Sequence, residues 1–189
     1  MLKDQRDDGI ALREAVAADA AAIAALYRPF VETTSANFEE SAPDAAEMAR
    51  RMAAVAAAGL PWLIAEREGA VIGYAYAAPY RPRPAYRFAV EDSIYLAPAA
   101  QGAGLGRRLL AALIERAAAA GARRMIAVIG DPPTQARSIA LHRALGFEEA
   151  GRLVGVGWKA GGWRDTLLMQ RALGDGVRTP PSDLRPISR

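Results

Sequence analysis

A chain of 189 residues with a formal charge of +3, from 24 basic and 21 acidic side chains, is long enough for one domain with a substantial core and short for two. It contains no cysteine, which excludes disulfides, thiolate metal sites and a cysteine acyl-enzyme, and its single histidine, His142, leaves little from which to build a metal centre. No Lys/Arg run is long enough for a nucleic-acid arm, so the basic balance suits a small anionic ligand at least as well.

The first residues, MLKDQRDDGI, are charged where a signal peptide needs an apolar core, and no segment approaches the ~18 apolar residues of a membrane span. The expectation is a cytoplasmic protein without a membrane or nucleic-acid partner. The alanine runs 17–25 and 117–120 favour helix and raise the apolar fraction to 52% without marking a site.

In chain order, Ile10 to Arg13 reads as a short strand, and Asp19 caps a helix that Pro29 is expected to stop after Arg28. Residues 30–40, FVETTSANFEE, lack a period and read as a loop with short helical turns. A second helix fits Pro43 to Ala58, with Gly59 beyond its end. Trp62 to Glu66 and Val71 to Ala78 read as a hairpin turned at Glu68 and Gly69, and after PYRPRPAYR comes a strand from Ala89 to Leu96. That strand alternates imperfectly, as expected of a bulge or of burial on both faces. Leu105, Leu109, Leu113 and Ala117 form one stripe of a helix from Gly104 to Ala120. A strand from Arg124 to Ile129, a helix from Thr134 to Leu145 and closing strands over 147–159 and 164–170 complete the order. Residues 174–189 mix Gly, Pro, Ser and charge, predicting a flexible tail behind a single domain spanning 1–173.

The most informative local feature is QGAGLGRRLL, where three glycines lie between a strand and an apolar helix. Successive backbone N–H groups there can converge on a pyrophosphate at the positive end of the helix, with Arg107 and Arg108 at the rim. A glycine-rich turn without a ligand is the plainer alternative. A dinucleotide fingerprint does not fit: the third glycine comes one place early, the loop lies mid-chain, and no carboxylate follows in 121–124. A phosphate loop of the GK[ST] kind is also absent.

The succession VEDSIYL, AP and QGAGLG before a long helix resembles the acetyl-CoA motif of the GNAT acetyltransferases, Q/R-x-x-G-x-G/A, with Gln101, Gly104 and Gly106 at its defining places. SIALHRALGF resembles the next helix and strand entry of that superfamily. PYRPRPAYR, ETTSANFE and KAGGWRD narrow the resemblance to the phosphinothricin and methionine sulfoximine acetyltransferases, over about residues 9 to 171. The resemblance implies an α/β (α+β) GNAT fold: a central mixed, mostly antiparallel sheet, about four flanking helices, and the pyrophosphate loop between the fourth strand and third helix. It implies acetyl-CoA as co-substrate, no metal, a small amino-acid-like amine as acceptor, direct attack on the thioester, and a homodimer. Acetylation of another small amine, or a catalytically silent acetyl-CoA sensor, are the alternatives.

Acetyl transfer to an amine needs a base, an oxyanion stabiliser and a proton for the departing thiolate. By resemblance Glu91 is the base, although residue type alone leaves it an ordinary edge-strand carboxylate. The resemblance assigns the pantetheine arm to the backbone of Ile94, Tyr95 and Leu96, and the phosphates to Gln101, Gly102, Ala103, Gly104, Leu105, Gly106 and Arg107. His142 stands where many GNAT enzymes carry a tyrosine near the sulfur, so it is the candidate acid or else a structural histidine. Gln135 replaces the usual Asn, a departure that puts its cofactor contact in question. For the acceptor, Arg81, Pro82 and Arg83 precede the strand as a carboxylate clamp or a solvated loop, with Phe38, Tyr86 and Trp163 as pocket walls or plain core. Asp92 and Ser93 follow Glu91 into the acceptor side.

Overall fold

The computed structural model describes residues 9–181. Its elements are β1 (Ile10–Glu14), α1 (Ala20–Thr33), α2 (Ala45–Ala57), β2 (Trp62–Arg67), β3 (Ala70–Pro79), β4 (Ala89–Leu96), α3 (Leu105–Ala119), β5 (Arg124–Gly130), α4 (Ala136–Ala144), β6 (Glu148–Lys159) and β7 (Gly162–Ala172). They build one seven-stranded sheet in the order β1-β2-β3-β4-β5-β7-β6. Every neighbouring pair is antiparallel except β4 with β5. That parallel pair requires a crossover, and α3 supplies it.

The α3 stripe of Leu105, Leu109, Leu113 and Ala117 is fully buried against Leu63, Ala75, Val90, Met125 and Met169 on one sheet face, with Ile139 and Leu141 of α4 packed on the same cluster. The other face carries α1 and α2 over Ile64, Tyr74 and Trp62. Asp44 caps α2, its Oδ1 accepting from the Glu47 N–H at 2.7 Å. The β2–β3 turn takes φ of 52° at Glu68 and 77° at Gly69, the left-handed pair that suits a tight hairpin.

Three expectations change. Pro29 does not stop α1, which runs on to Thr33 with the proline inside it. The missing N–H forfeits one helical bond, but continuing the helix buries Val31 and sets Phe30 edge-on to Tyr95 at 5.1 Å. Residues 30–33 are therefore helical, and only the stretch beyond them is loop. The last helix starts at Ala136, after a 3₁₀ turn over Pro132–Thr134. Arg108 turns away from the glycine loop and donates to the Ile10 carbonyl at 3.2 Å.

Beyond Leu173, which is buried, residues 174–181 run in turns against Arg123. This guanidinium lies 3.8 Å from Asp175 and donates to the Thr179 and Pro180 carbonyls. A cation with several acceptors in reach holds this part of the expected tail to the body. Residues 182–189 lie outside the described residues.

Candidate active site

β4 and β5 pair only from Ala89↔Arg124 to Asp92↔Ala127. Beyond that point β4 stays with β3 as far as Leu96↔Gly73, while β5 follows β7 to Gly130↔Thr166. The two strands therefore splay, and the β5-facing edge of Ser93 to Leu96 has no strand partner among the described residues. A cleft opens in the gap, lined by Asp92, Ser93, Ile94 and Tyr95 of β4, Ala127 to Ile129 of β5, Phe30 and Ala36 near α1, and Gln135, Ser138 and His142 at α4. Unpaired strand edges are otherwise avoided inside proteins, and this one lies at the centre of the sheet.

At the outer end of β4 the chain enters the glycine loop. Gly102 and Gly104 take φ of 88° and 83°, which L side chains resist, so both positions need glycine for backbone reasons. Among the described residues no side chain caps α3, whose N-terminal N–H groups follow directly on Gly104. A Cβ on Gly106 would stand 3.3 Å from Leu96 and 3.4 Å from Leu141, so the helix start packs closely on β4 and α4. Gln101 donates to the Leu96 carbonyl at 3.3 Å and accepts from Arg137 at 3.4 Å, bracing the loop between β4 and α4. Gly102, Ala103 and Arg107 are exposed beside it. An uncapped helix end, a glycine concavity and an unpaired strand edge in line fit a ligand with phosphates at one end and an amide-bearing arm at the other.

β4 presents its two carboxylates to opposite faces of the sheet. Glu91, half-buried, lies on the face of Ser93 and Tyr76, which stand opposite each other across β4 and β3. Burial pushes the Glu91 carboxyl up, the charge of Asp92 adds to this, and Arg81 opposes it. Such a carboxylate holds its proton closer to neutrality than usual. Asp92, on the other face, is buried and meets His142, whose Nε2 is 3.0 Å from Asp92 Oδ2. The other ring nitrogen, Nδ1, donates to the Ser138 carbonyl at 2.7 Å.

The remaining candidates disperse. Gln135 borders the cleft, its amide bonded to the Thr134 hydroxyl at 2.9 Å. Phe38 is wedged between β5 and β6, where a Cβ on Gly130 would lie 3.1 Å from its ring and one on Gly157 only 2.5 Å. Arg81, Pro82 and Arg83 line a separate hollow with residues 118–123 at the far end of α3. The Arg81 guanidinium lies 5.0 Å from the centre of the Tyr80 ring, which meets exposed Tyr86 edge-on. Trp163 is exposed on β7 against Trp158.

Sequence reasoning passed over the residues that hold the cleft's wall. Tyr27 donates to Glu39 at 2.9 Å, Arg51 grips the same carboxylate at 2.8 Å, and Tyr27 meets Tyr95 edge-on at 4.8 Å. Ser35 donates to buried Asp131 at the end of β5, and Lys159 donates to the Asn37 carbonyl at 2.9 Å. The one available signal was Tyr74 and Tyr76 at strand spacing, which put two polar-tipped rings on one sheet face.

The acetyltransferase (GNAT) family matches residues 22–147. A phosphinothricin N-acetyltransferase of Alcaligenes faecalis is 53% identical over 163 residues, 86% of this chain and 82% of its own length. An L-methionine sulfoximine/L-methionine sulfone acetyltransferase of Pseudomonas paraeruginosa is 42% identical over 171 residues, 90% of this chain and 98% of its own. The crystal structure of a GNAT superfamily phosphinothricin acetyltransferase from Sinorhizobium meliloti, in complex with AcCoA, aligns with a TM-score of 0.88 and 51% identity. That alignment covers 93% of this chain and 94% of the other. The glycine loop at the open end of the β4–β5 cleft and these similarities lead to one conclusion: the chain belongs to the GNAT family and is an acetyl-CoA-dependent N-acetyltransferase.

Proposed function

We propose that the enzyme acetylates the α-amino group of a small amino-acid analogue of the phosphinothricin or methionine sulfoximine type, by direct attack of the amine on the thioester. The observation that carries this reading is the parting of β4 from β5 just past Glu91 and Asp92, with the glycine loop at the open end. Gln101 to Arg107 would hold the pyrophosphate, and the free edge of Ile94, Tyr95 and Leu96 the pantetheine arm, with Gln135 at the border of the cleft. Acetyl-CoA supplies the activated acetyl group when bound.

Glu91, beside the vertex of the splay, takes the proton of the attacking amine, and its raised carboxyl suits that task near neutrality. Backbone N–H groups on the free edge of β4 stabilise the oxyanion, since fixed dipoles cost no reorganisation during the reaction. His142 is the proton source for the departing thiolate. On the acceptor side, the charge of Arg81 reaches Glu91 and draws an amino-acid carboxylate toward it, with Pro82, Arg83 and Tyr86 shaping the loop behind. Ser93 borders the acceptor, and the Phe38 loop walls it off.

The enzyme acts in the cytoplasm, where acetyl-CoA is available. It pairs with a second copy of itself through the C-terminal strands, where Val154, Val156, Trp158 and Trp163 stand exposed. β6 slips register between Leu153 and Gly157, and Asp165, bonded to the Gly155 N–H at 2.8 Å, fixes the bulge that holds both valines outward.

Thiol release from acetyl-CoA, followed over phosphinothricin, methionine sulfoximine, methionine sulfone, glutamate and simple alkylamines, tests the substrate class. The expected result is turnover with the zwitterionic analogues and little with the alkylamines, which lack a carboxylate. Equal turnover with alkylamines would remove the amino-acid reading.

A further inference from the structure

The environment of His142 fixes more than its position. Its Nδ1 is 2.7 Å from the Ser138 carbonyl, and a carbonyl oxygen only accepts, so Nδ1 carries hydrogen. Its Nε2 is 3.0 Å from Asp92 Oδ2. Without a proton between them, two lone pairs would face each other in a site where both side chains are almost wholly buried, 3% and 1% exposed. The pair therefore carries one shared proton beyond the one committed to Ser138. With that proton on Nε2 the ring is an imidazolium facing a carboxylate, both of its nitrogens carrying hydrogen.

Asp92 stands at the last β4–β5 pair, its Oδ1 is buried without a hydrogen-bond partner among the described residues, and both Asp92 and His142 border the cleft. Phe147 closes the ring edge-on at 4.9 Å, Ser138 lies on its own helix, and Asp92 is the one carboxylate or cation among the described residues that line the cleft with His142. Glu91, next along β4, belongs to the opposite sheet face.

We infer that Asp92 is a positioning residue for acetyl transfer, which keeps His142 protonated on both nitrogens and aligns the Nε2 proton destined for the thiolate. This rests on the reading of His142 as the proton donor. Burial pulls the imidazole down, and the Asp92 hydrogen bond and charge, with the Ser138 carbonyl, outweigh it, leaving His142 above its ordinary value. In the transfer step the amine nitrogen bonds to the acetyl carbon, and the C–S bond breaks with its electron pair on sulfur. The sulfur takes the Nε2 proton as the thiolate competes with the carboxylate for it. Nε2 is then left with a lone pair against Asp92, an unfavourable contact that draws a proton back from solvent. Glu91 releases to solvent the proton it took from the amine, so the cycle balances.

Because His142 is the chain's only histidine, its ring resonances can be followed by NMR without assignment. The experiment is a ¹⁵N titration of the ligand-free protein from about pH 5 to 8, with parent and Asp92→Asn compared, and kcat measured over the same range. The expected parent spectrum shows both nitrogens protonated at neutral pH. In Asp92→Asn the titration midpoint drops, and kcat falls roughly 10²-fold at neutral pH with the acetyl-CoA KM near the parent value. A parent ring with one protonated nitrogen throughout that range overturns the inference, whether or not the variant folds. So does an Asp92→Asn midpoint equal to the parent's. Parent rates in His142→Gln would instead overturn the proton-donor reading beneath it, a separate result.

Discussion

Replacing Glu91 by Gln is expected to lower kcat by roughly 10²- to 10⁴-fold at neutral pH and to leave the acetyl-CoA KM close to that of the parent. The substitution keeps shape and hydrogen-bonding capacity but removes the only charge on the Ser93 and Tyr95 side of β4. The position is set by the sheet: Glu91 pairs with Ala78 on one side and Ile126 on the other, one residue before β5 departs. Its raised carboxyl also fixes the sign of the pH dependence. A carboxylate acting as base works only when ionised, so with Glu91 in the proposed role the parent's rate should rise with pH through the Glu91 value. That acid limb should be missing from the variant. Steady-state rates across pH measure both, and parent-like rates would remove Glu91 from the base role.

The second large effect is expected from Gly157→Ala, a substitution remote from the reacting atoms. A β-carbon there falls 2.5 Å from two Phe38 ring atoms and 2.9 Å from a third. The opposite edge of the ring faces Gly130, whose Cβ position lies 3.1 Å from it, which limits its retreat. Residues 34–39 must therefore lift, loosening Ser35 from Asp131 and Asn37 from Lys159. Overpacking of this kind costs about 1–3 kcal/mol, visible as a lower melting temperature. Because Ala36 borders the cleft, the acceptor KM should rise by about tenfold, the equivalent of ~1.4 kcal/mol, while the acetyl-CoA KM stays near parent. A variant that melts lower with both KM values unchanged would make Phe38 a packing residue only.

What could be read from the sequence follows the range of the physics involved. The glycine loop was legible because positive φ and an apolar helix stripe are local properties, written in Gly102, Gly104 and Leu105 to Ala117. The strand carrying Glu91 was legible for the same reason, and its imperfect alternation reflects half-burial along most of its length. Pro29 misled because a local rule yielded to the burial of Val31 and Phe30 beyond it. The Asp92–His142 bond joins residues 50 apart in the chain, and the Ser35–Asp131 bond residues 96 apart. No local pattern announces either. Arg81 and Arg83 were read as neighbours of Glu91 from their proximity along the chain. The 3₁₀ turn at Pro84–Tyr86 and the exposed loop around it set both arginines at a hollow by the end of α3, from which the charge of Arg81 acts on the Glu91 carboxyl.

Direct transfer within the β4–β5 cleft is the central claim, and radiolabelled acetyl-CoA tests it most directly. The label is followed into protein and product during single turnovers, with and without phosphinothricin as acceptor. One free thiol is expected for each N-acetylated product, with no label retained on the protein and no thiol release without an acceptor. Label that accumulates on the protein before the acceptor is added, and then chases into product, would contradict it.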